Sequence, residues 1–259
     1  ENKYCVGLFN QEGNRVTGTF LTNTGDYRFL EGEISGMHLS LSAFDGAHSF
    51  LFIADVINNE IKNGHFFSGL HWHDTWSAVR DSSFNLNDER SFSHLKEGYS
   101  KLEFSFPDVN GKMVSLADSE FKNKVVIVQI MGSWCPNCLD ETRYLSDWFN
   151  TTKPEDVRII GLDYEKITDT TVAFRNIRRL ADRYHVNYPI LFGGSSNREE
   201  AGKTLPMLSR VFSFPTTIYV NKDGTVREIH SGFNGPATGQ YFEDYKREFS
   251  KLIEEMRMQ

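Results

Sequence analysis

The chain has 259 residues, 39% of them hydrophobic and 24% charged, with a net charge of −7. At roughly 100–200 residues per domain, that length suggests one large domain or two modest ones, and seven prolines in so apolar a chain argue against disorder. Acidity disfavours nonspecific nucleic-acid binding, and the longest apolar run, Val125 to Gly132, is broken by Gln129 and falls short of the ~20 residues a membrane helix needs.

Charge is unevenly spread. Residues 1–97 carry 7 Lys and Arg against 13 Asp and Glu, whereas the remainder is nearly balanced, which suggests two units. The chain opens at Glu1 with no Met and no apolar leader, as expected of a mature or truncated form. From Tyr4 to about Arg80 it reads as short strands: 15–21, 27–34, 38–42, 49–55, 60–68 and 75–80. The turn signals are Gly13-Asn14, Thr24-Gly25, Asp45-Gly46 and Asn63-Gly64. Such turns pair strands antiparallel, as a sheet or small barrel. Cys5, in an alternating apolar segment, reads as a small buried hydrophobe. Residues 81–98 read as a linker.

Beyond it the pattern changes. Residues 101–106 and 112–116 flank Asn110-Gly111 as a hairpin. Residues 124–131, 157–163, 188–192, 216–220 and 226–231 read as strands, and 138–150, 170–185 and 239–258 as helices. The expected organisation is an all-β antiparallel domain over residues 1–97, linker included, followed by an α/β domain over 98–259.

The chemistry lies in Val125-Val-Ile-Val-Gln-Ile-Met-Gly-Ser-Trp-Cys-Pro-Asn-Cys138, a buried strand, a short turn and a Cys-x-x-Cys at a helix start. Unpaired N–H groups and the positive dipole end there stabilise a thiolate at Cys135. Cys138, one turn on, is within reach of a mixed disulfide formed by Cys135. Pro136 suits the first helical turn, where its missing N–H is not needed. Trp134 is placed to shield the sulfur and to offer a partner an apolar contact. Zinc would require two further ligands, and no second CxxC or close Cys/His pair follows. Covalent haem would require His where Leu139 stands.

Gly132-Ser-Trp-Cys-Pro-Asn-Cys138 after a buried strand resembles the thioredoxin fold. The longer pattern resembles the TlpA/ResA-type thiol–disulfide oxidoreductases of the bacterial cell envelope, a branch related to the AhpC/TSA peroxiredoxins. Phe106-Pro-Asp-Val-Asn-Gly-Lys-Met-Val-Ser-Leu116 is similar to that family's leading hairpin. Phe214-Pro-Thr-Thr-Ile-Tyr219 is similar to the thioredoxin cis-proline strand. The resemblance spans roughly residues 99–259.

The resemblance implies a thioredoxin-like α/β fold and a protein disulfide reductase with no cofactor beyond a redox-active Cys135–Cys138 disulfide. Cys135 would be the nucleophile and Cys138 the resolving thiol, with Glu165 as the acid beneath the site. Trp134, Pro136, Phe214 and Pro215 would contact substrate, Pro215 lying opposite the cysteines. Disulfide-bearing proteins would be substrates and a membrane thiol reductase the electron donor. The location would be the cell envelope or periplasm, with a lipid anchor lost on truncation as one arrangement. Two alternatives stay open: a redox-sensitive adaptor whose main function lies in the β domain, and a peroxiredoxin-like peroxidase. Against the peroxidase, Gly132 and Val128 stand where peroxiredoxins carry the Thr or Ser and the Pro of their peroxide site.

Three further features are weighed. Gly202-Lys203-Thr204 has the ending of a phosphate loop but Asn197 where its first Gly belongs, so a helix starting near Asn197 is expected. His71 and His73, if on one strand, would face the same side, as in a metal site. Phe66, Phe67, Trp72 and Trp76 crowd that region as a small core or a binding face.

Overall fold

Turn residues that tolerate positive φ divide the first third of the chain into short strands. In a computed structural model, residues 4–86 and 92–259 are described. By its internal packing the chain forms two units, one of residues 1–87 with 234–242, the other of residues 88–233 with 243–259.

The first unit is an open antiparallel sheet of β1 (Val6–Glu12), β2 (Arg15–Thr22), β3 (Gly25–Asp26), β4 (Leu30–Ser35), β5 (His38–Phe44), β6 (Ser49–Ile57), β7 (Glu60–Ser68) and β8 (Trp72–Ala78). Their order is β1-β2-β4-β5-β6-β7-β8, with β3 paired to β2. This is the all-β antiparallel fold read from the sequence, in the form of a sheet. Alternation decides the two faces. Val16, Phe20, Leu30, Leu39, Leu41 and Phe52 form the core, joined by Phe66 and Trp76. Phe20 and Phe66 pack on Phe52 with ring centroids 4.8 and 4.5 Å away. Leu51 and Ile53, one residue out of phase with Phe52, are exposed.

Four local expectations change here. Asn63-Gly64 is no turn but an irregularity inside β7, where the pairing with β8 shifts register. The β6–β7 turn is Asn58-Asn59, both at positive φ, with Ile57 paired to Glu60. A two-residue hairpin of matching twist needs that conformation at both positions, and Asn supplies it where Gly is absent. Cys5 is exposed and free, because it precedes β1 rather than filling its core face. The aromatic cluster splits between faces: Phe66 and Trp76 belong to the core, whereas Trp72 is exposed. His71 lies in the turn before β8, so it shares no strand with His73. His73 instead meets His65, Nε2 to Nδ1 at 3.0 Å.

Segment 234–242, expected inside the α/β domain, belongs to the first unit. Asp26 accepts the Gly235 N–H at 2.8 Å. Residues 87–91 of the expected linker lie outside the described residues. Residues 92–97 are not a free tether. Lys96 N–H donates to Met207 O at 2.9 Å, Leu95 bridges Leu208, and Ser93 is buried.

The second unit is thioredoxin-like. After the small hairpin of β9 (Ser105–Pro107) and β10 (Met113–Ser115) comes a five-stranded sheet in the order β13-β12-β11-β14-β15. The strands β11 (Val125–Met131), β12 (Val157–Glu165) and β13 (Ile190–Ser195) are parallel, and β14 (Thr216–Val220) and β15 (Val226–Ser231) complete it antiparallel. Among the described residues four helices accompany it: α1 (Pro136–Thr152), α2 (Thr170–Tyr184), α3 (Arg198–Thr204) and, from Glu243 onward, α4 (Gln240–Met258). Every residue of β11 is buried, as expected of a central strand covered on both faces. Asn197 caps α3 by accepting from Glu199 and Glu200 N–H, so Gly202-Lys203-Thr204 is helical rather than a phosphate loop.

Candidate active site

Strand β11 ends at Met131 and α1 begins at Pro136, so the four residues between them turn a buried strand into a helix start. Gly132 permits the turn. A Cβ there would lie 2.4 Å from the Trp134 indole nitrogen and 2.8 Å from Tyr164 O. The indole instead donates to Tyr164 O at 2.9 Å, with the Lys166 ammonium 4.6 Å from its ring centroid and the Phe214 ring edge-on at 5.7 Å.

Cys135 occupies the N-cap of α1, and its sulfur accepts the Cys138 N–H at 3.2 Å. Pro136 takes the first helical position. Cys135 and Cys138 are joined as a disulfide, with Cα atoms 5.2 Å apart. Cys138 is wholly buried and Cys135 is 5% exposed, so an incoming group meets Cys135 first. Phe214–Pro215 is a cis peptide, and Phe214 O lies 3.4 Å from the Cys135 sulfur, an acceptor in place for the thiol once the bond is reduced. The structure thus brings Cys135, Cys138, Trp134, Pro136, Phe214 and Pro215 around one turn.

Glu165 stands elsewhere in the site. It closes β12, which runs two residues beyond the expected strand, and is 3% exposed. Its carboxylate accepts from Ser133 N–H and from the Asn176 amide, both at 3.3 Å. Asp163, on the same face of β12, is fully buried.

The acid on the buried face of α1 is Glu141, three residues after Cys138. Thr217 Oγ1 donates to it at 2.7 Å, Gln129 Nε2 at 2.8 Å and the Tyr245 hydroxyl at 3.4 Å. The same Gln129 amide reaches Cys138 O at 3.3 Å, and Thr142 donates to the Gln129 oxygen at 3.0 Å. Burial pushes the Glu141 carboxyl up to about 7, against the opposing pull of its three donors. Sequence reasoning missed Glu141, although the signal was present: on a helix through Cys138, position i+3 shares the face of that cysteine.

The redoxin family profile matches residues 96–245. Among curated relatives, the thiol-disulfide oxidoreductase ResA of Bacillus subtilis is 26% identical over 138 residues, 53% of this chain and 69% of the relative. The ResA of Halalkalibacterium halodurans is 26% identical over 161 residues, covering 62% and 79%. Among solved structures, a thiol-disulfide isomerase from Corynebacterium glutamicum superposes with a TM-score of 0.48 at 14% identity, over 63% of this chain and 99% of that one. A thiol:disulfide interchange protein of the thioredoxin family from Chlorobium tepidum gives 0.46 at 17% identity, over 62% and 98%.

Proposed function

Because the chain belongs to the redoxin family, we propose that it is a thiol–disulfide oxidoreductase that reduces disulfides of proteins in the bacterial cell envelope. The observation that carries the reading is the Cys135–Cys138 disulfide at the start of α1, its outer sulfur beside the cis Phe214–Pro215 bond. The relatives' names support the same chemistry. The redox centre is the cysteine pair itself, with no further cofactor.

In the reduced form, the Cys135 thiolate attacks one sulfur of the substrate disulfide. That S–S bond breaks, a mixed disulfide forms, and the departing thiolate takes a proton. Cys138 then loses its proton and attacks the Cys135 sulfur, releasing the second substrate thiol and leaving the Cys135–Cys138 disulfide, two electrons poorer. Glu141, with its carboxyl near 7 and joined to the Cys138 turn through Gln129, is suited to accept the Cys138 proton. Trp134, Pro136, Phe214 and Pro215 form the surface against which the substrate strand lies. Glu165 acts through the Ser133 turn, as a positioning residue. A membrane thiol reductase returns the electrons, and a lipid anchor on a longer form of the chain would hold the protein beside it.

Insulin reduction by dithiothreitol tests the activity: the chain accelerates it and Cys135→Ser does not. The reduction potential of the pair tests direction, near −270 mV or lower for a reductant and near −120 mV for an oxidant. Fractionation of the producing cell tests location, and a signal in the cytosol alone would overturn the envelope assignment.

A further inference from the structure

Asp163 is fully buried, and neither of its carboxylate oxygens has a hydrogen-bond partner. An ionised carboxylate left so would forfeit its hydration with nothing in exchange, at a cost of several kcal/mol. The side chain two residues along the same face of β12 is Glu165, also a carboxylate. The Asp163 and Glu165 side chains are within hydrogen-bonding reach of one another, and two ionised carboxylates offer acceptors only, so nothing bonds them until one holds a proton. The two are not equivalent. Glu165 receives Ser133 N–H and the Asn176 amide, whereas no donor meets Asp163 in hydrogen-bonding geometry and the Ser133 N–H acts on it only weakly.

Resting on the dithiol reading of Cys135 and Cys138, we infer that Asp163 and Glu165 share a single proton, carried by Asp163 and donated to Glu165. One negative charge is thereby held on Glu165 against the Ser133 N–H, two residues before Cys135. The charge has two effects on the redox turn. It fixes the Ser133–Trp134 backbone, which a neutral Glu165 would grip less firmly. It also opposes ionisation of the Cys135 thiol, counteracting the helix dipole that favours it.

Burial and the neighbouring Glu165 both act to keep Asp163 protonated, and the Ser133 N–H acts weakly the other way. Around the pair, α2 contributes the neutral Asn176, and the preceding turn contributes backbone. Lys166, next in the chain, lies over Trp134. Glu165 is the titratable group that acts on Asp163.

Infrared spectroscopy of the oxidised protein reads the proton without any disulfide exchange, so its outcome is independent of the proposed activity. In Glu141→Gln, where the other wholly buried acid among the described residues is silenced, a protonated-carboxyl band persists at neutral pH. Adding Asp163→Asn removes that band, and adding Glu165→Gln instead shifts its frequency, because the acceptor changes from carboxylate to amide. Absence of the band in Glu141→Gln, its survival in Asp163→Asn, or an unshifted band in Glu165→Gln overturns the inference. Any one of these variants that folds is sufficient for the reading. The effect on the turn is read by alkylation of reduced Cys135 against pH. Glu165→Gln removes the charge and speeds alkylation about threefold to tenfold near pH 6, a pKa fall of half a unit to one unit. Asp163→Asn retains it, since the amide still donates to Glu165, and stays within about twofold of wild type. Equal shifts in both variants would mean that the pair has only a packing role.

Discussion

The two units bury their sheets in opposite ways. In the antiparallel unit, Leu39, Leu41 and Phe52 face the core, while their neighbours Leu51 and Ile53 are exposed. In the redoxin unit, β11 is buried at all seven positions because helices cover what the other sheet leaves open. Among its described residues the first unit buries one acid, Asp26, which keeps 8% exposure and accepts the Gly235 N–H. Two-sided burial makes room for Glu141, Asp163 and Gln129, all fully buried close to the cysteines or to the turn before them. Redox chemistry therefore belongs to the second unit for a physical reason: a carboxyl is poised near neutral pH only where water is excluded.

That contrast can be broken, most severely first. Cys135→Ser should reduce insulin reduction to background while leaving the far-UV spectrum of both units unchanged. Cys138→Ser should accumulate mixed disulfides through Cys135, seen on non-reducing gels. Equal trapping by Cys135→Ser would reverse the roles of the two thiols.

Next in size is a cavity in the other unit. Phe52→Ala removes a ring packed on Phe20, Phe66 and Trp76 and should cost about 3–5 kcal/mol in denaturant unfolding. The alkylation rate of reduced Cys135 should not change. A single transition in which that reactivity falls together with the sheet would show that the chemistry is not confined to the second unit.

Glu141→Gln sharpens the comparison from the redoxin side. The carboxyl's folded value, about 7, lies above its ordinary 4.5, so the folded state holds a proton that the unfolded state has already lost. Wild-type stability therefore declines as pH rises from about 4.5 to 7, by roughly 3 kcal/mol at most. The Gln variant lacks this decline, so its advantage over wild type should grow through that window and level off above it. Parallel stability curves for the two proteins would refute the buried-acid assignment. Smallest is Lys166→Met, which removes the cation over Trp134 and should cost about 0.5–1 kcal/mol, with an altered indole emission.

Periodicity and turn chemistry carried most of the fold. The strands 216–220 and 226–231, the helix start near Asn197 and the change of pattern after the first third were all legible, because each depends on residues a few positions apart. The Asn58-Asn59 turn was missed, since Asn takes positive φ less openly than Gly, and Asn63-Gly64 drew the assignment instead. The exit of segment 234–242 to the first unit was invisible: the Gly235 bond to Asp26 joins residues 209 apart.

The sequence by itself determined where the chemistry is. A Cys-x-x-Cys after an apolar strand is a local arrangement, and a helix start acts on its first cysteine whatever surrounds it. How the acids around those cysteines are held was decided by tertiary structure alone. Glu141 and Glu165 are chemically identical and both lie within 30 residues of Cys135. They differ because Thr217, Gln129 and Tyr245 converge on one, while Ser133 and Asn176 hold the other. Desolvation and hydrogen bonding set the behaviour of a carboxyl, and both are properties of neighbours that only folding brings together.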